Sequence, residues 1–271
     1  MSFNIFLYLI PFLILSGNSC KINYKKNNIT EGIIRGHSIS YEFNKYEMVE
    51  DYSQEMWFKD SAVIIKNVSI SFELDATEDS KPAFLETLKY VYVNLKNLKC
   101  QDYLYFGPNA KIEANYTVKK GEFFPWPFFF ENDYIPPVGK TPLIKLSDTL
   151  MNGINYKRLF YTGNGKPPYQ QRIYYLCETN LPEMLHFVPR IEKLYYPLKA
   201  LRTEDLEYGK IIGLSYYEIV ADSLSEYERS VFNQWAINAD TTTLKLQTAT
   251  EVSENAMYYF ERQKELRKKS N

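Results

Sequence analysis

The chain has 271 residues, and its 32 Lys and Arg against 33 Asp and Glu give a formal net charge of -1. A charge this close to zero provides no electrostatic footprint for nucleic acid, and only 11 Gly argue against a nucleotide-cradling loop architecture. Aromatic residues make up 16% of the chain, with 24 Tyr and 17 Phe, which favours β structure. The net charge, the glycine content and the aromatic content together predict a β-rich globular protein with no nucleic-acid partner and no cofactor.

The first apolar segment is residues 5–15, which contain no polar interruption apart from the hydroxyl of Tyr8. As a helix it would be roughly 16 Å long, about half of a hydrocarbon core. It therefore fits the apolar region of a secretory signal, which ends in small residues before a cleavage site. Residues 16–19, Ser-Gly-Asn-Ser, supply those residues. A signal peptide is predicted over residues 1–19, and a retained N-terminal helix is the alternative.

Cys20 directly follows the predicted signal. The run Gly17-Asn18-Ser19-Cys20 resembles a relaxed bacterial lipobox, in which the Cys receives the lipid and becomes the mature N-terminus. The same residues satisfy the rule for ordinary signal cleavage after Ser19. We expect a lipid such as palmitate to be attached to Cys20. A Cys directly after a signal is improbable by chance in a chain with 3 Cys. The polar and basic residues that follow predict a flexible tether, so the anchor and tether together cover residues 20–35.

Residues 36–271 are predicted to form a single β-rich domain. Three segments alternate apolar and polar residues with the period of a half-buried strand: 38–43, 68–74 and 112–118. Five more are apolar on both faces or nearly so, as in central or covered strands: 88–95, 103–106, 156–161, 173–177 and 211–220. Turn residues separate these segments without an intervening helical period, which predicts antiparallel meanders. The segment 83–98 also fits a helical stripe.

The C-terminal part changes to a helical period. From about residue 224, Leu224, Tyr227, Val231 and Trp235 fall on one helical face, and Ser225 with Glu228 forms a capping box. A second helix is predicted over residues 251–269. The predicted fold is therefore α+β and β-rich: an antiparallel meander sheet, curved or half-barrel-like, with two C-terminal helices.

Residues 123–130 form an aromatic cluster interrupted by two prolines, which forbid a regular helix and disfavour a central strand. An exposed aromatic loop would form an apolar ligand-binding lip or a membrane-contacting patch. A buried one would plug the core of a curved sheet, the reading that we favour because exposing all these rings invites aggregation. The residues in question are Phe123, Phe124, Trp126, Phe128, Phe129 and Phe130.

Cys100 and Cys177 remain once Cys20 is assigned to the lipid. Export places both in a compartment where disulfides persist, and an even number is what pairing requires. The competing interpretation is two separate buried thiols, since a free Cys packs as a small hydrophobe. Spacing along the chain does not decide between them.

No motif identifies a catalytic residue or a metal site. The chain has no Gly-x-Ser-x-Gly, and its only imidazole bases are His37 and His186. Glu183 would share a helical face with His186, but two ligands without a third do not make a metal site. A carboxylate pair for glycoside hydrolysis cannot be selected among 33 acidic residues. Whether the protein is an enzyme is left open by the sequence, with non-enzymatic binding favoured.

The succession of signal, Cys20, basic tether, Tyr-rich strands and C-terminal helices resembles uncharacterised exported lipoproteins of the Bacteroidetes. Residues 147–158 look like a strand-turn-strand segment of such proteins, and residues 224–235 look like the start of their terminal helix. The resemblance implies a bacterial cell envelope protein, lipid-anchored at the periplasmic side of the outer membrane, with a β-rich fold. The expected role is non-enzymatic binding of an envelope protein or an apolar ligand; the alternative is a hydrolase of carbohydrate or cell-envelope material.

Overall fold

The computed structural model describes residues 28–42, 47–70, 85–118, 143–162, 171–183, 185, 187, 189–248 and 262–263. Their strands are β1 (Glu31–Glu42), β2 (Glu47–Lys59), β3 (Ala62–Ile70), β4 (Leu85–Asn94), β5 (Lys99–Tyr103), β6 (Ile112–Thr117), β7 (Ile144–Met151), β8 (Ile154–Thr162), β9 (Gln171–Glu178), β10 (Leu198–Glu207), β11 (Lys210–Ala221) and the short β12 (Gln247–Thr248). Two helices accompany them, α1 (Pro189–Leu194) and α2 (Glu226–Thr241). The predicted β-rich α+β class is confirmed.

All the strands form one sheet, in the order β12-β6-β5-β4-β3-β2-β1-β11-β10-β9-β8-β7. Strands β1 to β11 pair antiparallel, and β12 adds in parallel outside β6. The chain thus forms two meanders, β1–β6 and β7–β11, which are joined where β1 pairs with β11. The sheet is not closed, because the described strands β12 and β7 stand at its two ends.

Gly32 permits the close approach of the two meanders. A Cβ atom at this position would lie 2.5 Å from the carbonyl oxygen of Val220 on β11 and 3.0 Å from the ring of Phe58 on β2. Gly32 is paired with Ala221, at one end of the β1–β11 ladder. Any side chain here would push β11 or the Phe58 ring away, so a glycine is required at the junction.

Tight turns set the register of the second meander. Asn152 and Gly153 join β7 to β8 with φ values of 50° and 78°, and Tyr208 and Gly209 join β10 to β11 with values of 49° and 76°. Two consecutive residues with positive φ are the signature of a type I′ turn, whose twist matches that of antiparallel strands. The strand-turn-strand expectation for residues 147–158 is confirmed.

Helix α2 covers one face of the first meander. Its capping box is present as predicted: the Ser225 hydroxyl accepts from the Glu228 backbone N–H, and the Glu228 carboxylate accepts from the Ser225 N–H. Trp57 on β2 donates its indole N–H to the same carboxylate at 2.8 Å, which fixes the start of the helix on the sheet. Further along, Trp235 is fully buried against Tyr103, with ring centroids 3.8 Å apart.

The other face of the first meander carries a second core. Alternate residues of a strand point to opposite faces, and Ile33 packs in the α2 core while its neighbour Ile34 packs in the second one. The second core also receives apolar side chains from the segment after β9, namely Leu181, Leu185 and Phe187. A third core lies under α1 and joins β8, β9 and β10.

Several sequence expectations need correction. Residues 83–98 contain β4 and no helix among the described residues 85–98, and the predicted strand at 103–106 ends at Tyr103. Strand β1 begins at Glu31, inside the predicted tether of residues 20–35, so the ordered domain starts earlier than expected. Of the second predicted helix, 251–269, the structure describes only Arg262 and Gln263, which are helical; the rest lies outside the described residues.

Candidate functional site: a row of arginines and aromatic rings

A line of alternating arginine and aromatic residues crosses five adjacent strands. Tyr175 on β9 lies opposite Arg158 on β8 and Arg202 on β10. Arg202 lies opposite Tyr216 on β11, which in turn lies opposite His37 on β1. Directly opposed residues of antiparallel strands have neighbouring Cβ atoms. These five residues are called the Arg–Tyr row below; at the usual strand spacing the row is about 19 Å long.

Side-chain contacts hold the row together. The Arg202 guanidinium carbon lies 5.5 Å from the centroid of the Tyr175 ring, within cation–π range. Tyr156, two residues before Arg158, meets Tyr175 edge-on with centroids 6.2 Å apart. At the other end, the rings of His37 and Tyr216 are stacked, with centroids 4.7 Å apart and an interplanar angle of 13°. The rings are therefore fixed in place by one another.

Glu204 on β10 neutralises one of the two arginines. Its carboxylate accepts a hydrogen bond from the Tyr175 hydroxyl at 2.7 Å and one from Arg202 Nη2 at 2.8 Å. Burial, together with the hydrogen bond to Glu204, raises the pKa of Tyr175 to about 12. The phenol is therefore neutral near pH 7 and supplies no negative charge to the row.

The side chains of the Arg–Tyr row are more exposed to solvent than those of the hydrophobic cores. Tyr175 is buried, whereas Arg158, Arg202, Tyr216 and His37 are half-exposed. The Arg202 side chain retains 31% of its accessible surface. By comparison, Tyr103 on β5 and Trp235 on α2 retain 0%. A ligand can therefore contact the two arginines, Tyr216 and His37 without a rearrangement of the sheet.

Two further ion pairs are buried, one within the sheet and one between α1 and the sheet. Lys89 on β4 pairs with Asp102 on β5 at 2.5 Å, and the Tyr116 hydroxyl donates to Asp102 Oδ1 at 3.0 Å. Glu192 on α1 lies 3.6 Å from Lys199 on β10, and its other oxygen accepts from backbone N–H groups. Burial lowers the pKa of Lys199.

These pairs bear on the hydrolase alternative. A glycosidase needs two facing carboxyl groups about 5 to 9.5 Å apart. Within the described ranges, each of the buried carboxylates Asp102, Glu192 and Glu204 instead has a cationic partner. That arrangement is typical of structural ion pairs, and it favours no acid–base pair.

One surface pocket of about 210 Å³ lies beside β6, between Glu113 and Gln247. Asn115 at its base donates to the Leu244 carbonyl, and its own side-chain oxygen is buried without a hydrogen-bond partner. The volume is below the usual range for ligand sites, about 300 to 1,000 Å³. The Arg–Tyr row is the stronger candidate.

The sequence-predicted site residues lie apart from the row. Cys20, His186 and the aromatic cluster Phe123, Phe124, Trp126, Phe128, Phe129 and Phe130 fall outside the described residues. Cys100 and Cys177 are free, buried thiols in the same core. Burial raises the pKa of both, to about 12 for Cys177. In the structure they therefore follow the buried-thiol interpretation, and no disulfide joins them.

Sequence reasoning considered His37 only as a base and missed the other four members of the row. The strands that carry Arg158, Tyr175 and Tyr216 were predicted, but their register and the neighbouring β10 were not. The described ranges contain no group of three His, Cys, Asp or Glu side chains placed to hold a metal. Over the same ranges, no helix is both long enough and apolar enough to cross a bilayer.

Comparison with known protein families gives no match, and neither does comparison with curated proteins. The resemblance to Bacteroidetes lipoproteins therefore stays an expectation drawn from the sequence. The case for a function rests on the chemistry of the row.

Proposed function

We propose that the protein is an exported, lipid-anchored protein of a bacterial cell envelope that binds a partner on the Arg–Tyr row without chemical turnover. The proposal rests on the composition and the exposure of the row. Two arginines are aligned with the rings of Tyr175, Tyr216 and His37, and four of the five side chains are half-exposed. Arg and Tyr are the residue types enriched at the energetic centres of interfaces. Contacts within the row already hold the rings, which lowers the entropy cost of binding.

The envelope location is supported by the N-terminal sequence. Residues 5–15 have the length and polarity of a signal, and Cys20 stands where a lipoprotein carries its lipid. We place the protein at the periplasmic side of the outer membrane, held by the lipid. The second C-terminal helix over residues 251–269 and a half-barrel curvature of the sheet belong to the same proposal.

Labelled palmitate tests the anchor. We expect the label to enter the wild-type protein expressed in a bacterial host and not the Cys20→Ala variant, because the thiol is the attachment point. The label is followed on a denaturing gel after membrane fractionation. Cys100→Ala, at a buried cysteine, serves as the matched control and should keep the label. An unlabelled, soluble wild-type protein would contradict the anchor.

A photoreactive phenylalanine analogue tests binding on the row. Phe160 is half-exposed on β8, two residues from Arg158 and therefore on the same strand face. We expect a discrete cross-linked adduct from position 160 in cells that natively make the protein. Ile237, 53% exposed on α2, is the matched control position and should give none. Equal adducts from both positions, or none from position 160, would remove the row as the binding surface.

A further inference from the structure

Arg158 differs from four other arginines of the described ranges in the partner that it binds. Arg35, Arg172, Arg202 and Arg229 each form an ion pair with a carboxylate. Arg158 instead donates from Nε to the backbone oxygen of Ser147 on β7, at 2.7 Å. Within the described ranges, no carboxylate lies at ion-pair distance from it. The Ser147 contact holds the side chain by one nitrogen, and a hydrogen-bonding contact with the Tyr175 hydroxyl engages a further part of the guanidinium. The remaining N–H groups of its five are left for another acceptor.

Within the row and its partner Glu204, positive charge exceeds negative charge. Arg158 and Arg202 bring two positive charges to this end of the row, and Glu204 brings one negative charge, which is bound to Arg202 and Tyr175. Tyr175 contributes no charge near pH 7, as shown above. A half-buried guanidinium is weakly hydrated, and its planar arrangement of N–H groups matches the geometry of a carboxylate. A ligand carboxylate could therefore form a bidentate pair of hydrogen bonds with it.

The strand beside Arg158 adds a second contact surface. β7 ends the described sheet on this side and pairs with β8 alone. It exposes 71% of Leu150 and 49% of Ile144. The outer backbone groups of an end strand can pair with an extended segment of another chain. Such a segment would lie about 10 Å from β8, a gap that an arginine and a glutamate side chain can bridge together.

We infer that the Arg–Tyr row receives an acidic, extended segment of a partner protein, which pairs with β7 and places a carboxylate on Arg158. This inference rests on the proposed function and names the chemistry of the partner. A protein segment is preferred to an acidic glycan because β7 offers backbone hydrogen bonds and exposed apolar side chains, both of which suit a peptide strand. Arg158 gives the interaction its charge specificity.

The test uses the purified full chain in detergent and a fluorescent ten-residue peptide of alternating Val and Glu, read by anisotropy. We expect saturable binding, and about ten-fold weaker binding when Gln replaces every Glu in the peptide. Arg158→Gln should weaken binding of the Glu peptide by a similar factor, while Arg158→Lys retains part of it. The matched control Lys157→Gln, an exposed neighbour on the opposite strand face, should leave binding unchanged.

The inference would be overturned by no binding of the Glu peptide, by equal binding of the Gln peptide, or by an equal loss in Lys157→Gln. A polyuronate that competes more strongly than the peptide, and does so only when Arg158 is present, would assign the site to an acidic glycan instead. Circular dichroism and the thermal midpoint confirm that Arg158→Gln is folded. If position 160 cross-links in cells while the acidic peptide fails to bind, the proposed function stands and only the partner chemistry is wrong.

Discussion

Replacing Lys89 with methionine is expected to lower the free energy of unfolding by about 3 to 5 kcal/mol. Asp102 is fully buried, and its Oδ2 lies 2.5 Å from Lys89 Nζ. Methionine keeps most of the apolar volume of the lysine stem, so the loss reports chiefly on the charge. The variant would leave a carboxylate in the protein interior with the Tyr116 hydroxyl bond but without its cation. Urea denaturation followed by tryptophan fluorescence measures the change.

The double variant Lys89→Met with Asp102→Asn is the control for this interpretation. It removes both charges, and the asparagine oxygen can still accept from Tyr116. We expect it to be clearly more stable than Lys89→Met alone, because removing a buried pair is less costly than breaking it. A single variant within about 1 kcal/mol of the wild type would show that the pair is solvated in solution.

Trp235→Ala is expected to cost about 3 to 5 kcal/mol, the range for a large aromatic removed from a core. The indole is fully buried, lies flat on Tyr103 with an interplanar angle of 4°, and donates to the Gly107 carbonyl at 2.9 Å. It joins α2 to β5 and to the following turn, so its loss should loosen the helix from the sheet.

Two further variants separate the contributions of the Trp235 hydrogen bond, the ring packing and the helix itself to the free energy of unfolding. Trp235→Phe keeps an aromatic ring against Tyr103 but removes the indole hydrogen bond to the Gly107 carbonyl, which still accepts from the Ala110 N–H at 3.1 Å. A smaller loss of about 0.5 to 1.5 kcal/mol is therefore expected. Ile237→Ala lies on the same helix at a position 53% exposed and should change stability by no more than about 0.5 kcal/mol. Equal losses of stability at positions 235 and 237 would mean that α2 stabilises the protein through its helicity and not through the packing of Trp235.

The sequence predicted the elements whose pattern is local. Helix α2 begins at its capping box, and β6 and β9 follow the alternation or the apolar run that predicted them. β10 was missed because its second half, Arg202 to Glu207, is rich in charge and does not look like a strand. In the structure those charges are compensated, Glu204 by Arg202 on the same strand and Asp205 by Arg172 on β9.

The candidate site could not be predicted, because it depends on register. Arg158, Tyr175 and Arg202 become neighbours only once the pairings of β8, β9 and β10 are fixed, and a slip of one residue would turn each side chain to the other face. The bulge between Ala200 and Arg202 adds a shift that no periodic pattern shows. The pairing of His37 with Tyr216 also joins two strands from opposite ends of the chain.

The ladder between β1 and β11, to which His37 and Tyr216 belong, determines when the middle of the sheet can fold. The β1–β11 ladder joins residues 32–40 to residues 213–221, so the middle of the sheet forms only after most of the chain has emerged. Such high contact order makes folding slow. Until β11 arrives, the first meander presents β1 as an uncovered edge that can pair with other chains. A chain cut short before Gly213 would lack the whole ladder, and its two halves would remain separate, association-prone sheets.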